Sequence, residues 1–568
     1  MSTTFDIREI PFSRRGAWLN LSPVVGLRQT SDAIHLVSHV NGMHAVLALR
    51  PQLAGAAAET SWHAEPAQFT WQAAADDDRI AAAFDGVAAL RLRGRGLALR
   101  IEDAAKSLTP FTGTYLLVDP VDDAAVFTSY ETGRRYHVRA LTGRIDVEGG
   151  GALGLADRAV VLGADGGPWE ALVEEVTSTV GHDRAERTFD EVVAAARTAF
   201  DEYLEAVAGW RTDETPAAAL AAYVMWSATV AAEGLVTRDS VLMSKHWMDK
   251  LWSWDHCFNA LALARGVPDH ALDQFLAPFD HQDAAGALPD SITHSQVLYN
   301  FVKPPIHGWT LRRLRATAAR ALTDDELREI YGGLSRWTGF WLEARRRPGH
   351  ELPYYQHGND SGWDNSTTFD DDRVVEAPDL AAFLTIQLEV LADLAEELGE
   401  PADEWKVARD RLLDALLDQL WTGEEFVAVG ATSGRRSTAT SLLNLLPLVL
   451  GTRLPPDVRD VLGARVRQHL TAYGLATEPV DSPHYEDDGY WRGPIWAPST
   501  ALIEDGLRAS GFTELADSVS ERFRRLCERS GFAENFDAQT GEGLRDRAYT
   551  WTAAVYLLLA AAHVDRRT

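Results

Sequence analysis

A mainly helical protein preceded by an antiparallel β-sandwich is predicted by three observations. The 568 residues exceed one ordinary domain. Up to about Leu162 the sequence consists of short runs, several alternating apolar and polar residues, separated by Gly, Asp, Asn or Pro. From Asp190 onward the period changes, and apolar residues recur at spacings of three and four. The expected division is residues 1–189, a sandwich with its linker, and residues 190–568, a helical domain.

The strand-like runs are AIHLVSHV, HAVLALR, AQFTWQAA, VAALRLRG, LALRIED, TYLLVD, AVFTSY, YHVRAL and AVVLG. Their spacing suits an antiparallel sandwich, and no helical crossover of the kind parallel strands require lies between them. The first helices are FDEVVAAARTAFDEYLEAVAG and TPAAALAAYVMWSATVAAEG, followed by short ones at Cys257–Arg265 and Ala271–Asp280. LRRLRATAARAL, LREIYGGLSRWTGFWLEARRR, LAAFLTIQLEVLADLAEELG and WKVARDRLLDALLDQLW continue the series. ATSLLNLLPLVLG, PDVRDVLGARVRQHL, APSTALIEDGLRASG, ELADSVSERFRRLCERSG and YTWTAAVYLLLAAAHV complete it. About a dozen helices with no strand regime between them and no repeat of fixed period suggest hairpins arranged in a ring or solenoid.

Composition narrows the function. Fifty-four basic against 83 acidic residues give a formal charge of −29, a field that repels nucleic acid and anionic membranes. Two cysteines, Cys257 and Cys527, exclude a disulfide framework and a thiolate-cluster zinc site. No signal-peptide-like or membrane-spanning run is present, so a soluble cytoplasmic protein is expected. Eighteen tryptophans are more than usual; they serve either a large core or sugar-stacking faces.

Four polar loops carry Trp, His, Asp and Asn together, where a site on a helical scaffold is expected. KHWMDKLWSWDHCFNALALARG brings Trp254 and Asp255 to a helix start, where Asp255 could equally be an N-cap. GALPDSITHSQVLYNFVKPPIHGW supplies Lys303 and Trp309 around a stiff Pro-Pro pair. YYQHGNDSGWDNSTTFDDD holds Tyr355, His357, Asp360, Trp363 and Asp364, without the ligand spacing of an EF-hand. HYEDDGYWRGPIWAPST and GFAENFDAQTGEGLRDRAYTWTAAV supply Trp491, Arg492, Trp496, Glu534 and Glu542. Phosphate loops, HExxH and nucleophile elbows are absent from the sequence. What remains is carboxylates among aromatic rings, the set that glycosidic bond hydrolysis requires.

LWSWDHCFNALAL, KPPIHGW, HGNDSGWDNST, GYWRGPIW and ENFDAQTGEG…YTWTAAV, in that order, resemble glycoside hydrolase family 63 and its bacterial relatives. Those relatives include α-glucosidases and the mannosylglycerate and glucosylglycerate hydrolases. The resemblance spans roughly Lys245 to Val564. It implies an (α/α)₆-barrel catalytic domain and inversion of an α-glycoside, with Asp364 as general acid and Glu534 as general base. Glu542 is the alternative base. The resemblance also places Trp254 and Asp255 around the released sugar, with Lys303 and Trp309 nearby. Tyr355, His357, Trp363, Trp491, Arg492 and Trp496 are expected in the walls, and Trp551 beneath Glu534. Trp363 and Asp360 are the expected causes of a raised Asp364 pKa.

The N-terminal sandwich departs from barrel-only glycerate-glycoside hydrolases, so the expected substrate is a small α-glucoside or oligosaccharide. No cofactor or metal is implied, and the expected partner is a small carbohydrate. A sugar epimerase or isomerase and a non-catalytic carbohydrate-binding protein are the alternatives.

Overall fold

The computed structural model describes residues 3–74, 78–105, 113–178 and 187–567. Part of the expected linker, 179–186, lies outside the described residues. The strands in chain order are β1 (Leu19–Gly26), β2 (Gln29–Ser38), β3 (His44–Leu53), β4 (Ala56–Ala57) and β5 (Ser61–Glu65). They continue as β6 (Gln68–Gln72), β7 (Arg79–Phe84), β8 (Ala89–Arg95), β9 (Ala98–Asp103) and β10 (Thr114–Val118). The series closes with β11 (Ala125–Ser129), β12 (Arg135–Thr142), β13 (Ile145–Glu148), β14 (Ala159–Leu162) and β15 (Trp169–Val176).

One sheet has the order β1-β2-β3-β9-β14-β13, with β4 paired to β3; the other runs β10-β11-β12-β15-β8-β7-β6-β5. The two sheets share one core, in which Leu36, Leu49 and Ile101 from the first meet Phe69, Leu92 and Phe127 from the second. Strand β9 alternates buried and half-buried side chains along its length, the period-two pattern of a strand with one face on a core. Trp169 fills the core end, and Gly163 (φ 70°) must be glycine, because a Cβ there would lie 2.0 Å from the indole.

Helices of the second regime are α1 (Phe189–Ala208), α2 (Ala218–Ala228), α3 (Asp255–Leu263), α4 (Pro268–Leu276) and α5 (His307–Thr317). Next come α6 (Asp324–Gly339), the one-turn α7 (Gly358–Ser361), α8 (Pro378–Leu398) and α9 (Asp403–Ala415). The last are α10 (Pro456–His469), α11 (Ala497–Ala509), α12 (Thr513–Ser530) and α13 (Thr550–Asp565). Helix α6 opens with a capping box, Thr323 and Glu326 bonding each other's backbone. Helix α8 is buried along most of its 21 residues, as a helix with apolar residues all round must be. The expected helix ATSLLNLLPLVLG forms a 3₁₀ segment, Leu442–Arg453, because Pro447 removes a donor and Gly451 (φ 55°) breaks the spiral.

Contacts divide the chain into two units. One comprises 1–205, 222–249 and 293–296; the other comprises 206–221, 250–292 and 297–568. The division therefore falls inside α1 rather than at residue 190, and the sandwich unit recruits the start of the first tryptophan-rich loop. The reason is a buried polar network. The Lys245 amine donates to Ser13 Oγ at 2.9 Å and to the Ala17 carbonyl, Asn20 donates to the Lys245 carbonyl at 2.7 Å, and His39 meets Asp249 at 3.0 Å. Breaking any member would leave a buried polar group unsatisfied.

Candidate active site

The second unit gathers the polar loops at helix ends. Helix α3 begins at Asp255, but Trp254 occupies the cap position and no side chain caps the helix. The Asp255 carboxylate is therefore not consumed by capping. Its Oδ2 is buried without a hydrogen-bond partner. Burial pushes its carboxyl up to about 8, against the Lys303 ammonium and aided by Asp364 and Asp290. Lys303 bridges, with its Nζ 3.0 Å from Asp290 and donating at 2.9 Å to the Asn359 carbonyl. These observations put Asp255, Asp290, Lys303 and Asp364 in one electrostatic neighbourhood.

Asp364 follows α7 and the left-handed Gly362 (φ 74°). A Cβ on Gly362 would lie 2.5 Å from the Trp254 ring, so the turn carrying Asp364 closes directly on that indole. Burial raises the Asp364 pKa, Lys303 opposes and Asp290 adds to the rise, with His357 opposing. The expected contribution of Asp360 is not found. That carboxylate accepts from Arg345 at 2.8 Å, from Gln356 N at 2.9 Å and from Val302 N at 3.1 Å, and so braces the loop.

Glu534 lies before a two-residue strand, Asn535–Phe536, and its backbone N–H donates to the Asp546 carbonyl at 2.7 Å. Its pKa is pushed up to about 7 by burial, then by Asp546, against Arg545 and a hydrogen bond from Tyr490. Glu542, the alternative base, is exposed and contributes its backbone carbonyl to Asp537 N at 2.9 Å. The Tyr490 phenol is raised far above its usual range by burial and by the charges of both Glu534 and Asp364. It therefore lies within electrostatic reach of both carboxyls. Tyr549 is raised in the same way by burial and by Glu534 and Asp255.

Indoles surround this group. Trp491 stacks on Trp496 at 4.0 Å with rings 2° apart, and lies 4.5 Å from Trp363 and 6.4 Å from Trp254. Trp551 meets Trp254 edge-on at 5.6 Å and Trp496 at 5.4 Å. One face of Trp491 is thus occupied by Trp496, which makes it wall rather than stacking platform.

Asn365 ties the turn carrying Asp364 to the turn carrying Tyr490. Its Nδ2 donates to the Gly489 carbonyl at 3.0 Å, and its Oδ1 accepts from Trp491 N at 3.0 Å. Arg492 Nε donates to the Asn365 carbonyl at 2.8 Å, and its fork also holds Asp370. Between those anchors Tyr490 adopts φ 63°, and Arg545, whose guanidinium lies 4.8 Å over the Tyr490 ring, adopts φ 62°. Two non-glycine residues in the left-handed region flank Glu534, a local strain the surrounding bonds must hold. Glu478 accepts from the hydroxyls of Thr367 and Thr440 and anchors the far end of the acid loop.

Two expected wall residues, Tyr355 and His357, and Trp309, expected near Lys303, have partners of their own. Tyr355 is fully buried and donates to Asp379 at 2.9 Å. Trp309 donates to Asp505 at 3.0 Å and carries Arg313 over its ring at 4.4 Å, a setting that shares neither residue with the carboxyl group above. His357 caps α7 through Nδ1, accepting from Asn359 N at 3.1 Å, while its charge is felt at Asp364. Tyr490 stands in the GYWRGPIW string of the fourth loop, whereas Asp290, Asn365, Glu478, Arg545, Asp546 and Tyr549 were not selected from sequence. Of the latter, only Asn365 carried a signal there, as the neighbour of Asp364 in the DNS string. Among the described residues no group of three or more His, Cys, Asp or Glu side chains could hold a metal ion.

Two carboxyls with raised pKa values, a phenol that senses the charge of both, and a cluster of indoles are thus brought together in the second unit. The mannosylglycerate hydrolase MGH1-like glycoside hydrolase domain matches residues 248–552, more than half of the chain. The chain belongs to that glycoside hydrolase family. As a family member it is an enzyme that hydrolyses glycosides. A mannosylglycerate hydrolase of Rubrobacter radiotolerans is 26% identical over 400 residues, covering 54% of this chain and 89% of that relative. The solved family 63 mannosylglycerate hydrolase of Thermus thermophilus, in complex with glucose, superposes with TM-score 0.54 at 23% identity. It covers 60% of this chain and 98% of its own. A bacterial glucoamylase complexed with acarbose gives TM-score 0.62 at 10% identity, over 100% of this chain and 95% of its own. At these identities the two structures establish a shared fold. No described helix is long and apolar enough to cross a membrane.

Proposed function

We propose that this glycoside hydrolase is an inverting, exo-acting enzyme with Asp364 as general acid and Glu534 as general base, and that its helices close into an (α/α)₆ barrel. The observation that carries the reading is the pair of buried carboxyls with raised pKa values, Asp364 and Glu534, whose charges both act on the Tyr490 phenol. The likeness to the two solved hydrolases supports the barrel. The activity named for the relatives supports an α-hexosyl glycerate as substrate, in place of the α-glucoside or oligosaccharide expected from sequence. Small-carbohydrate complexes of the Thermus enzyme support a monosaccharide-sized subsite.

In this reading the protonated Asp364 delivers its proton to the glycosidic oxygen as the bond to the anomeric carbon breaks. Glu534 removes a proton from a water that attacks the same carbon from the opposite face. Each turnover leaves Asp364 ionised and Glu534 protonated, and exchange with solvent restores both. Room for that water requires carboxyl groups about 6.5–9.5 Å apart. Asp255, with a buried oxygen lacking a partner, and Lys303 are placed to hydrogen-bond ring hydroxyls. Trp254 and Trp363 are the proposed aromatic walls, with Trp491, Trp496 and Arg492 behind them.

Proton NMR during hydrolysis of α-mannosylglycerate and α-glucosylglycerate tests substrate and stereochemistry together. The β-hexose should appear first, before mutarotation. Release of the α-anomer first would overturn inversion, and turnover of α-linked disaccharides alone would overturn the glycerate assignment. In H₂¹⁸O, label should enter the anomeric oxygen, which an epimerase would not require.

A further inference from the structure

Away from the catalytic group, the end of α12 and the end of α13 enclose a hollow of ≈ 840 Å³. Five arginines and four carboxylates line it, an excess of positive charge in a chain whose formal charge is −29. Each of the four carboxylates already has a partner. Asp517 pairs with Arg508 at 2.8 Å, Glu521 with Arg525 at 2.6 Å and Glu214 with Arg567, while Glu528 accepts from Tyr556 at 2.9 Å. Arg524 differs from the other four arginines. It is 6% exposed, its Nε has no hydrogen-bond partner, and among the described residues it forms no ion pair. One helical turn earlier on the same face, Ser520 is 1% exposed and its Oγ is likewise unpartnered.

A guanidinium nitrogen and a hydroxyl buried without partners are costly, and each calls for a partner such as a water or a ligand. The guanidinium fork matches a planar or tetrahedral oxyanion, and the serine hydroxyl supplies one more donor beside it. We infer that the hollow between α12 and α13 is a binding site for a small oxyanion, a phosphate or a carboxylate, held by Arg524 and Ser520. None of its lining residues belongs to the catalytic group, so the inference stands apart from the proposed mechanism.

Titration calorimetry and thermal unfolding of the full chain test it, with inorganic phosphate and acetate as separate probes at constant ionic strength. At least one anion should bind saturably and raise Tm, since a ligand that binds only the folded state stabilises it. The anion that saturates at the lower concentration identifies the source. Arg524→Met should weaken binding by about tenfold or more, because a charge-assisted fork is lost. Its ligand-free Tm should equal or exceed that of the parent, because an unpaired buried charge has been removed. Ser520→Ala should weaken binding a few-fold and keep the fold. The inference is overturned if neither anion binds saturably, if both variants bind as the parent does, or if Arg524→Met lowers the ligand-free Tm, which would make Arg524 a structural residue.

Discussion

Tyr490 is the side chain on which the charges of both proposed catalytic carboxyls act. Its hydrogen bond lowers the pKa of Glu534, while burial and Asp546 raise it to about 7. A general base acts when ionised, so activity should rise as pH passes through about 7. Removing the phenol in Tyr490→Phe removes the stabiliser of the carboxylate, and the acidic limb of the kcat/KM profile should move up by about one pH unit. Removing the like charge in Asp546→Asn should move the same limb down. A profile unchanged in both variants would show that Glu534 is not the titrating base. Asp364→Asn and Glu534→Gln should each lower kcat by roughly 10³-fold or more with Tm near that of the parent, measured on the substrate found by NMR. At this scale the sequence was legible for Asp364 and Glu534 through their motifs. It was silent on Asp290, Asp546 and Tyr549, which are near the site only because distant turns converge there.

Loops rather than helices set the acid against the base. Asn365 bonds the backbone on both sides of Tyr490, so the turn bearing Asp364 and the turn bearing Tyr490 move as one piece. Asn365→Ala should therefore lower kcat by about 10–100-fold with a smaller change in KM, because Asp364 loses its fixed position relative to Tyr490. An equal rise in KM with kcat preserved would assign Asn365 to substrate binding instead. The elements themselves were readable where the period was clean: β2, β3, β6, β9 and most helices follow their apolar spacing. Strand β7, RIAAAF, and strand β15, WEALVEEV, were not, because alanine and glutamate favour helix when read alone. Pairing with β8 on either side makes them strands. Trp309 illustrates a related limit. A helix position fixes which turn a ring occupies, but Asp505 and Arg313 decide what it faces.

Across the whole molecule, several buried acids have raised pKa values, and their sum bears on stability. Asp255 at about 8, and Asp379 and Glu534 at about 7, bind protons more tightly folded than unfolded. The stability they contribute is complete below the unfolded values near 4 and is lost as pH rises through 7 to 8. Buried His307 and His469, held neutral, oppose this below about 6.5, so Tm should fall from pH 7 to pH 8.5. Asp379→Asn keeps an acceptor for the Tyr355 hydroxyl and removes the buried charge, so it should raise Tm at pH 8.5 and leave it nearly unchanged at pH 5. The gain at high pH has an upper limit of about 4 kcal/mol. Equal Tm values at pH 8.5 would show that Asp379 is not held neutral by burial.

The sequence alone determined the class of each half, the ordered loops and the family, since period and motif are properties of neighbouring residues. Only the tertiary structure decided that the Lys245 segment belongs with the sandwich, that Tyr355 serves Asp379, and that both carboxyls act on Tyr490. Those outcomes depend on burial and on contacts between groups 24 to 232 residues apart, and both exist only once the chain has folded.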